Sequence, residues 1–325
     1  MTQRPRYPIY VPSKSRSHVT ARLTVRTLLD DGTPFRLVVE PSEADDYAKA
    51  FPAAELLVMP RDDMRLLGAR NWIRDHAEAE GHARHWQLDD NIRNWARSVR
   101  GHRVPCNSSV ALRVCEEFTD RYTNIGVSGL NYRGFVSPST RTPFYVNCHV
   151  YSISLINHAM PCRWRLVYND DTDLCLQALA AGWCTVALNV FMADKVPTMI
   201  VSGGNTDQLY RGDGRLRMAR SLERQWPHVV SVDRRWDRPQ HVVRGAWRGF
   251  DTKLIRRDDL DWSAFPETDE LGVEIVRRDV IRSSSVVEIL DHFSAGVVDR
   301  SGAGNTAPHD THTSNTHPDR PQGGR

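Results

Sequence analysis

Arg84-His85-Trp86-Gln87-Leu88-Asp89-Asp90-Asn91 is the stretch that decides the fold. Residues 84–88 read as a strand, and that strand runs straight into two acids and an amide. Upstream lie three more strand-like runs: Pro8 to Pro12, Phe35 to Glu40 and Glu55 to Met59. Between them the pattern predicts helices over Val19–Leu29, Ser42–Phe51 and Met64–Ala79. Ser42 reads as an N-cap with Asp45 at the third position. Leu66, Ala69, Trp72, Ile73 and Ala77 keep helical spacing. Strands alternating with helices imply βαβ units, a mostly parallel sheet and right-handed crossovers. Such sheets bind ligands off the carboxyl ends of their strands, which here are the loops 12–16, 40–43 and 89–94.

Downstream the alternation loosens. Cys106 to Tyr122 reads as an amphipathic helix, Phe144 to Ile156 and Thr185 to Met192 as strands, Asp170 to Ala181 and Asp213 to Gln225 as helices. From about Gly296 the chain turns to Gly, Ser, Thr, Asn, His and Pro. Residues 296–325 are therefore expected to be a disordered tail, with His309, His312 and His317 solvated.

The chain has 325 residues and a formal net charge of +3, too small to name a partner. Of its 43 Lys and Arg, only Lys14, Lys49, Lys195 and Lys253 are lysines. The rest are arginines, whose planar forks grip phosphate and carboxylate bidentately. The six cysteines form no CxxC pair and have no zinc-ligand spacing, so they read as reduced thiols of an intracellular protein. The N-terminus has no apolar signal core, and no window of ~18 apolar residues follows. The expectation is no membrane partner, a cytoplasmic location and no glycan at Asn107.

Asp89, Asp90 and Asn91 put three oxygen-bearing side chains at the mouth of the sheet. Hard oxygens suit Mg²⁺ or Mn²⁺, and such a cation bridges the phosphates of a diphosphate-linked sugar. A polar turn after a strand would read the same. Leu67-Gly68-Ala69-Arg70-Asn71 lies in the first half of the helix that feeds the acidic strand. Its glycine permits close approach of a nucleotide and its Arg can neutralise phosphate; an ordinary solvated helix face is the alternative. Gly203, Gly204 and Asn205 form a flexible polar loop. Asn147 and His149 alternate along one strand, so both could point into a cleft. Residues 234–257 gather Arg234, Arg235, Arg238, Arg244, Arg248, Lys253, Arg256 and Arg257 around Trp236, Trp247 and Phe250. That is a basic and aromatic footprint of the kind that holds nucleic acid, or a solvated charged face.

The strand at 8–16, the strand ending in Glu40, the helix with Gly68-Ala69-Arg70-Asn71 and the Trp86 to Asn91 run together resemble GT-A glycosyltransferases. Residues 144–158, 168–179 and 201–210 narrow the resemblance to the TET/JBP-associated group, over about Pro8 to Phe265. The resemblance implies an α/β GT-A fold, Rossmann-like, with a mixed sheet flanked by helices and C-terminal additions. It implies one domain over 1–295, with a nucleotide-sugar half at 1–105 and an acceptor half at 106–295. Pro12, Ser13, Arg16 and Glu40 would line the nucleoside pocket. Gly68, Arg70 and Asn71 would sit over the nucleotide. Asp89, Asp90 and Asn91 would be the metal element; many relatives have Asp where this chain has Asn91. An inverting transferase needs a base at the acceptor hydroxyl, and the resemblance gives that role to the pair Asp170-Asp171, with Asp171 as the base. Asp at a helix start also serves as a cap, the reading favoured for Asp173. The implied donor is a UDP-sugar and the implied acceptor is DNA carrying a 5-hydroxymethylpyrimidine, 5-hydroxymethylcytosine by preference, as on a phage genome. Gly203, Gly204, Asn205, Arg244 and Arg248 would touch that acceptor. A transferase acting on a polysaccharide or small molecule, and an inactive GT-A module that only docks DNA or nucleotide, are the rival readings.

Overall fold

The computed structural model describes residues 4–99, 102–137, 139–140, 142–196, 213–235, 238–243 and 249–263. The first half is the expected alternation: β1 (Ile9–Pro12), α1 (Thr24–Asp30), β2 (Arg36–Val39), α2 (Ala44–Ala50), β3 (Glu55–Val58), α3 (Arg65–Ala79) and β4 (Arg84–Leu88). Then come β5 (Ile92–Val99), β6 (His102–Pro105), α4 (Ser108–Thr119), β7 (Ile125–Tyr132), β8 (Phe144–Val146) and β9 (Ile153–Asn157). They are followed by α5 (Asp170–Ala180), β10 (Cys184–Lys195), α6 (Gly214–Gln225), β11 (Val230–Arg235) and β12 (Arg238–Val243). The large sheet has the order β3-β2-β1-β4-β9-β7-β10-β5-β6, with β8 also on β10. β11 and β12 form a separate hairpin.

The sheet is parallel from β3 to β4 and mixed beyond. β9 runs antiparallel to both β4 and β7, and β10 runs parallel to β7. The carboxyl ends of β4, β7 and β10 therefore share one end of the sheet, which brings Leu88, Tyr132 and Lys195 to the same rim.

β4 is buried along its whole length, Trp86 and Leu88 completely. Each such apolar side chain contributes about 1.5–3 kcal/mol of burial. The Trp86 indole N–H donates to Glu116 (2.8 Å), whose carboxylate also accepts from the backbone N–H groups of Arg6 (2.7 Å) and Tyr7 (3.1 Å). One acid on α4 thus ties the entry of β1 to the centre of the sheet. Glu116→Ala strands three donors and is expected to cost about 2–4 kcal/mol, read as a lower denaturation midpoint at unchanged m-value.

Four sequence expectations change. α1 starts at Thr24 rather than Val19, because the Thr24 hydroxyl is spent on the acidic turn: it donates to Asp89 O (2.6 Å) and accepts from Ile92 N (2.8 Å). Ser42 does not cap α2. Its N–H and hydroxyl both go to Asp62 (3.0 and 2.8 Å), and a 3₁₀ turn at Pro41–Glu43 leads into the helix. The single strand expected over 144–156 is two strands on different neighbours. The strap between them runs into β9 across β7 at Gly129, where a Cβ would come 2.7 Å from the Val150 side chain and 1.9 Å from the carbonyl oxygen of Ile153, the first residue of β9. β7 itself, and the β5–β6 hairpin, were not expected. The sheet becomes mixed through β9, β8 and β5, which run against β4, β7 and β10.

Asn107 caps α4, its side chain accepting from Ser109 N (2.8 Å). All six cysteines are free thiols. Among the described residues no helix is long and apolar enough to cross a membrane. The expected tail at 296–325 lies outside the described residues.

Candidate active site

The site is built at the shared rim. The acidic turn after β4 is fixed from both sides, by Thr24 and by the hydrogen bond from Asp89 N to Ser152 O (2.9 Å). Every carboxylate oxygen of the turn has a partner. Asp89 Oδ1 accepts from Arg70 (3.0 Å), and Oδ2 accepts from the Lys195 ammonium (2.7 Å) and the Ser152 hydroxyl. Asp90 is held by Arg16 and by the Ser13 hydroxyl (2.6 Å). Burial pushes the Asp89 carboxyl up, but Lys195 and Arg70 outweigh burial and hold it at about 2. Burial would lower Lys195; the adjacent Asp89 more than reverses this, so the ammonium stays charged. Asp90 is raised by burial against the pull of Arg16.

Arg70 joins the two acidic clusters. From α3 its guanidinium reaches Asp89 and, through Nε, Asp170 Oδ2 at 2.6 Å. Gln87 on β4 fixes it, accepting from Nη1 (3.3 Å) and donating to the Arg70 carbonyl (2.9 Å). Asp170 and Asp171 open α5. Burial and the neighbouring acids push Asp170 up against the pull of Arg70. Asp171 goes the other way: His149 Nε2 lies 3.3 Å from its Oδ2 and outweighs burial, holding the carboxyl well below the usual range. The N–H of Thr172 donates to Asp171 Oδ1 (2.7 Å). Two adjacent acids with opposed environments are the arrangement that separates acid and base roles. Asp173 is fully buried and structural, accepting from Arg165 (3.0 Å), Gln177 (2.8 Å) and Trp226 (2.7 Å).

The other expected site residues divide. Ser13, Arg16 and Asp90 line a small cleft with Val19, Tyr47 and Phe51 just past β1. Pro12 ends that strand, paired with Val38. Glu40 is buried at the end of β2 and pairs with Lys14 (2.7 Å) rather than with that cleft. Gly68 packs against Met64, which a Cβ would meet at 3.2 Å. Asn71 spends its amide on the Trp164 backbone, donating at 2.8 Å and accepting at 3.2 Å, so it clamps the loop before α5. Asn147 donates to Phe250 O and Thr252 O, away from the rim. Gly203, Gly204, Asn205, Arg244 and Arg248 lie outside the described residues. Lys253, Arg256 and Arg257 do not adjoin the site. Their segment binds Asn124 and Thr123 at the amino end of β7, the opposite end of the sheet from Tyr132.

Several members of the site carried little sequence signal. Lys195 is one, although it is one of only four lysines; Ser152 and Tyr132 are others. Tyr132 shares a hydrogen bond with Ser152 (2.6 Å) and places its ring under the Lys195 ammonium (5.7 Å). On β12, His241 comes within electrostatic reach of His149 and Asp171; burial and His149 lower its pKa against the pull of Asp171.

For a divalent cation the donor set is right in kind, two carboxylates and an amide oxygen. Asn91 Oδ1 is buried with no hydrogen-bond partner, while its Nδ2 donates to Val196 O (3.4 Å). The number of ligands falls short of a cage: among the described residues no three His, Cys, Asp or Glu side chains converge on one point.

The model of the TET-Associated Glycosyltransferase family matches residues 7–204, more than half of the chain. The chain belongs to that family. Its large mixed sheet flanked by helices is the α/β architecture that the sequence resemblance implied. The matched span holds the whole rim, from Ser13 to Lys195. Among solved structures, the chain is similar to the crystal structure of S. aureus TarS 1–349, with a TM-score of 0.37 and 11% identity over 58% of this chain and 60% of that one. It is also similar to the crystal structure of GalNAc-T7 with UDP, GalNAc and Mn²⁺, with a TM-score of 0.39 and 9% identity over 59% and 44%. The chain thus spans less than two thirds of either protein, and no ligand is carried over from them. No curated relative matches the sequence.

Proposed function

We propose that the chain transfers a sugar from a UDP-sugar to the hydroxyl of 5-hydroxymethylcytosine in DNA, as in hypermodification of a phage genome. The observation that carries the reading is Arg70, one buried guanidinium in contact with both Asp89 and Asp170. That bridge supports reading the turn with Arg70 and Lys195 as the donor end, and the acids of α5 as the acceptor end, of one site. Membership in a TET-associated family supports a DNA acceptor over a polysaccharide or small molecule.

In this reading Pro12, Ser13 and Arg16 receive the nucleoside, with Glu40 behind them keeping Lys14 in place. Gly68, Arg70 and Asn71 belong to the helix beside it, Arg70 alone reaching the donor end. Arg70 and Lys195 face the diphosphate, where fixed cations stabilise the charge that grows as the sugar–phosphate bond breaks. In an inverting transfer the acceptor oxygen attacks the anomeric carbon while Asp171 takes its proton; His149 orients the carboxylate, and Asp170 stays neutralised against Arg70. Gly203, Gly204, Asn205, Arg244 and Arg248 are kept as acceptor contacts.

Asp89, Asp90 and Asn91 would hold Mn²⁺ or Mg²⁺ together with the donor phosphates, which supply the ligands the protein lacks. Bound there, the cation offsets charge on the departing diphosphate. Chelator is expected to abolish transfer, and Mn²⁺ or Mg²⁺ to restore it. Full activity in chelator would assign the whole task to Arg16, Arg70 and Lys195. The donor is tested with a panel of nucleotide sugars on hydroxymethylated DNA, each arm scored by the mass gained; gain with no UDP-sugar would overturn the uridine assignment.

A further inference from the structure

A ladder of aromatic rings leads from the acid pair to the surface. His149, paired with Asp171, lies against Tyr151 with ring centroids 3.8 Å apart. Tyr151 stacks on Tyr132 (4.8 Å, 28° between planes), and Phe135 closes on both, at 5.1 Å from Tyr151 and 5.5 Å from Tyr132. Inside the protein the ladder is anchored by the bond between Tyr132 and Ser152. At its outer end Phe135 is 57% exposed, although it is a large apolar ring in direct contact with a polar site. Folding gains little from leaving that ring in water. Its position is set by the short 3₁₀ turn Arg133–Phe135, which follows β7 directly at the catalytic rim.

The same turn carries Arg133. With Arg22 and Arg103 it lines an open groove of about 500 Å³, in which Arg133 pairs with Asp194 (3.0 Å) and Arg22 with Asp30 (2.8 Å), so a phosphate there would compete with Asp194 for Arg133. A flat exposed ring, an arginine-lined groove on the same turn and a base three rings away suit one class of occupant. Stacking platforms with adjacent arginines hold unpaired nucleic acid bases, because every base has a π-face and every nucleotide a phosphate. A hydroxyl on a base becomes reachable once the base leaves the duplex stack.

We infer that Phe135 and Tyr151 form the stacking platform for the extruded target pyrimidine, with its hydroxymethyl group turned toward Asp171 and the neighbouring phosphate toward Arg133. This rests on the DNA reading above and assigns its acceptor subsite. It differs from the basic segment at 253–257, which lies at the far end of the sheet.

The test compares Phe135→Ala, Phe135→Leu and Phe135→Trp in the full chain. The acceptor is single-stranded hydroxymethylated DNA, and binding is followed with an oligonucleotide carrying a fluorescent pyrimidine analogue at the target position. Phe135→Ala and Phe135→Leu are expected to raise KM for DNA about 5- to 150-fold, the range of one lost base–aromatic stack. The fluorescence quenching seen on binding the parent protein should vanish. KM for the nucleotide sugar should stay within about twofold, and Phe135→Trp should keep both the quenching and the low KM. If the parent protein glycosylates DNA and Phe135→Leu matches it in KM and quenching, the platform is wrong while the acceptor stands. If the parent protein neither quenches the probe nor glycosylates DNA, the acceptor reading fails and the nucleobase platform with it.

Discussion

Asp171→Asn is expected to lower turnover about 10²- to 10⁴-fold, the range of a general base, with donor affinity changed less than about twofold. The substitution keeps the size of the side chain and an oxygen for the Thr172 N–H, which Asp171 accepts at 2.7 Å. It removes the negative charge that His149 faces at 3.3 Å and the lone pair that would take the acceptor proton. His149 holds the Asp171 carboxyl well below the usual range, which keeps it free of a proton but also weakens it as a base. Donor binding is the control. If it falls with turnover, Asp171 is a structural or binding residue. If Asp170→Asn abolishes turnover and Asp171→Asn does not, the base is the acid that burial and its neighbours push upward. Asp173→Asn is expected to act on stability alone, because Arg165, Gln177 and Trp226 already claim its carboxylate.

The second large effect belongs to Asp89→Ala. The side chain accepts from Arg70, Lys195 and Ser152 together. Its loss leaves two cations at the rim without their counter-charge. Breaking a buried pair from one side costs about 3–5 kcal/mol, an upper bound for these part-buried partners, so the variant should unfold at lower denaturant concentration and transfer no sugar. Lys195→Met, which removes the other partner, should also abolish transfer. The pH dependence follows from sign. The folded pKa of Asp89, about 2, lies below its ordinary value of 3.8. The stabilisation is therefore fully present above about pH 4 and is lost as pH falls through about 2. Parent and Asp89→Ala stabilities, measured by denaturation from pH 7 to pH 2, should converge at the acid end. A constant gap would deny the ion pair.

The first half of the fold was readable because its signals are local. β4 and its acidic end are continuous in sequence, and α3 carries its apolar stripe at regular spacing. The centre of the sheet was not readable in the same way. β7 contains Gly126 and Gly129, which interrupt a strand pattern. Gly129 is required there by the close passage of the 150–153 strap, a contact between segments more than twenty residues apart. The site divides along the same line. Asp89, Asp90, Asp170 and Asp171 stand out as acids at element ends, and Arg70 as a base beside one of them. Lys195, Ser152 and Tyr132 reach the rim only through the pairing of β7, β9 and β10. Asn71 looked like a nucleotide contact because it sits next to Arg70; the helix turns it instead toward the Trp164 backbone. The basic run at 234–257 was conspicuous in composition, but folding takes its last part, 253–257, to the other end of the sheet.

In the proposed reaction one site moves a sugar from a nucleotide donor to DNA. The most direct measurement incubates the full chain with hydroxymethylated DNA and a UDP-sugar, and reads the mass of the modified nucleoside against the UDP released. The predicted result is one sugar gained on hydroxymethylpyrimidine for each UDP set free, with both signals lost in Asp171→Asn. UDP release without mass on DNA, or transfer to a polysaccharide in preference to any hydroxymethylated DNA, would contradict it.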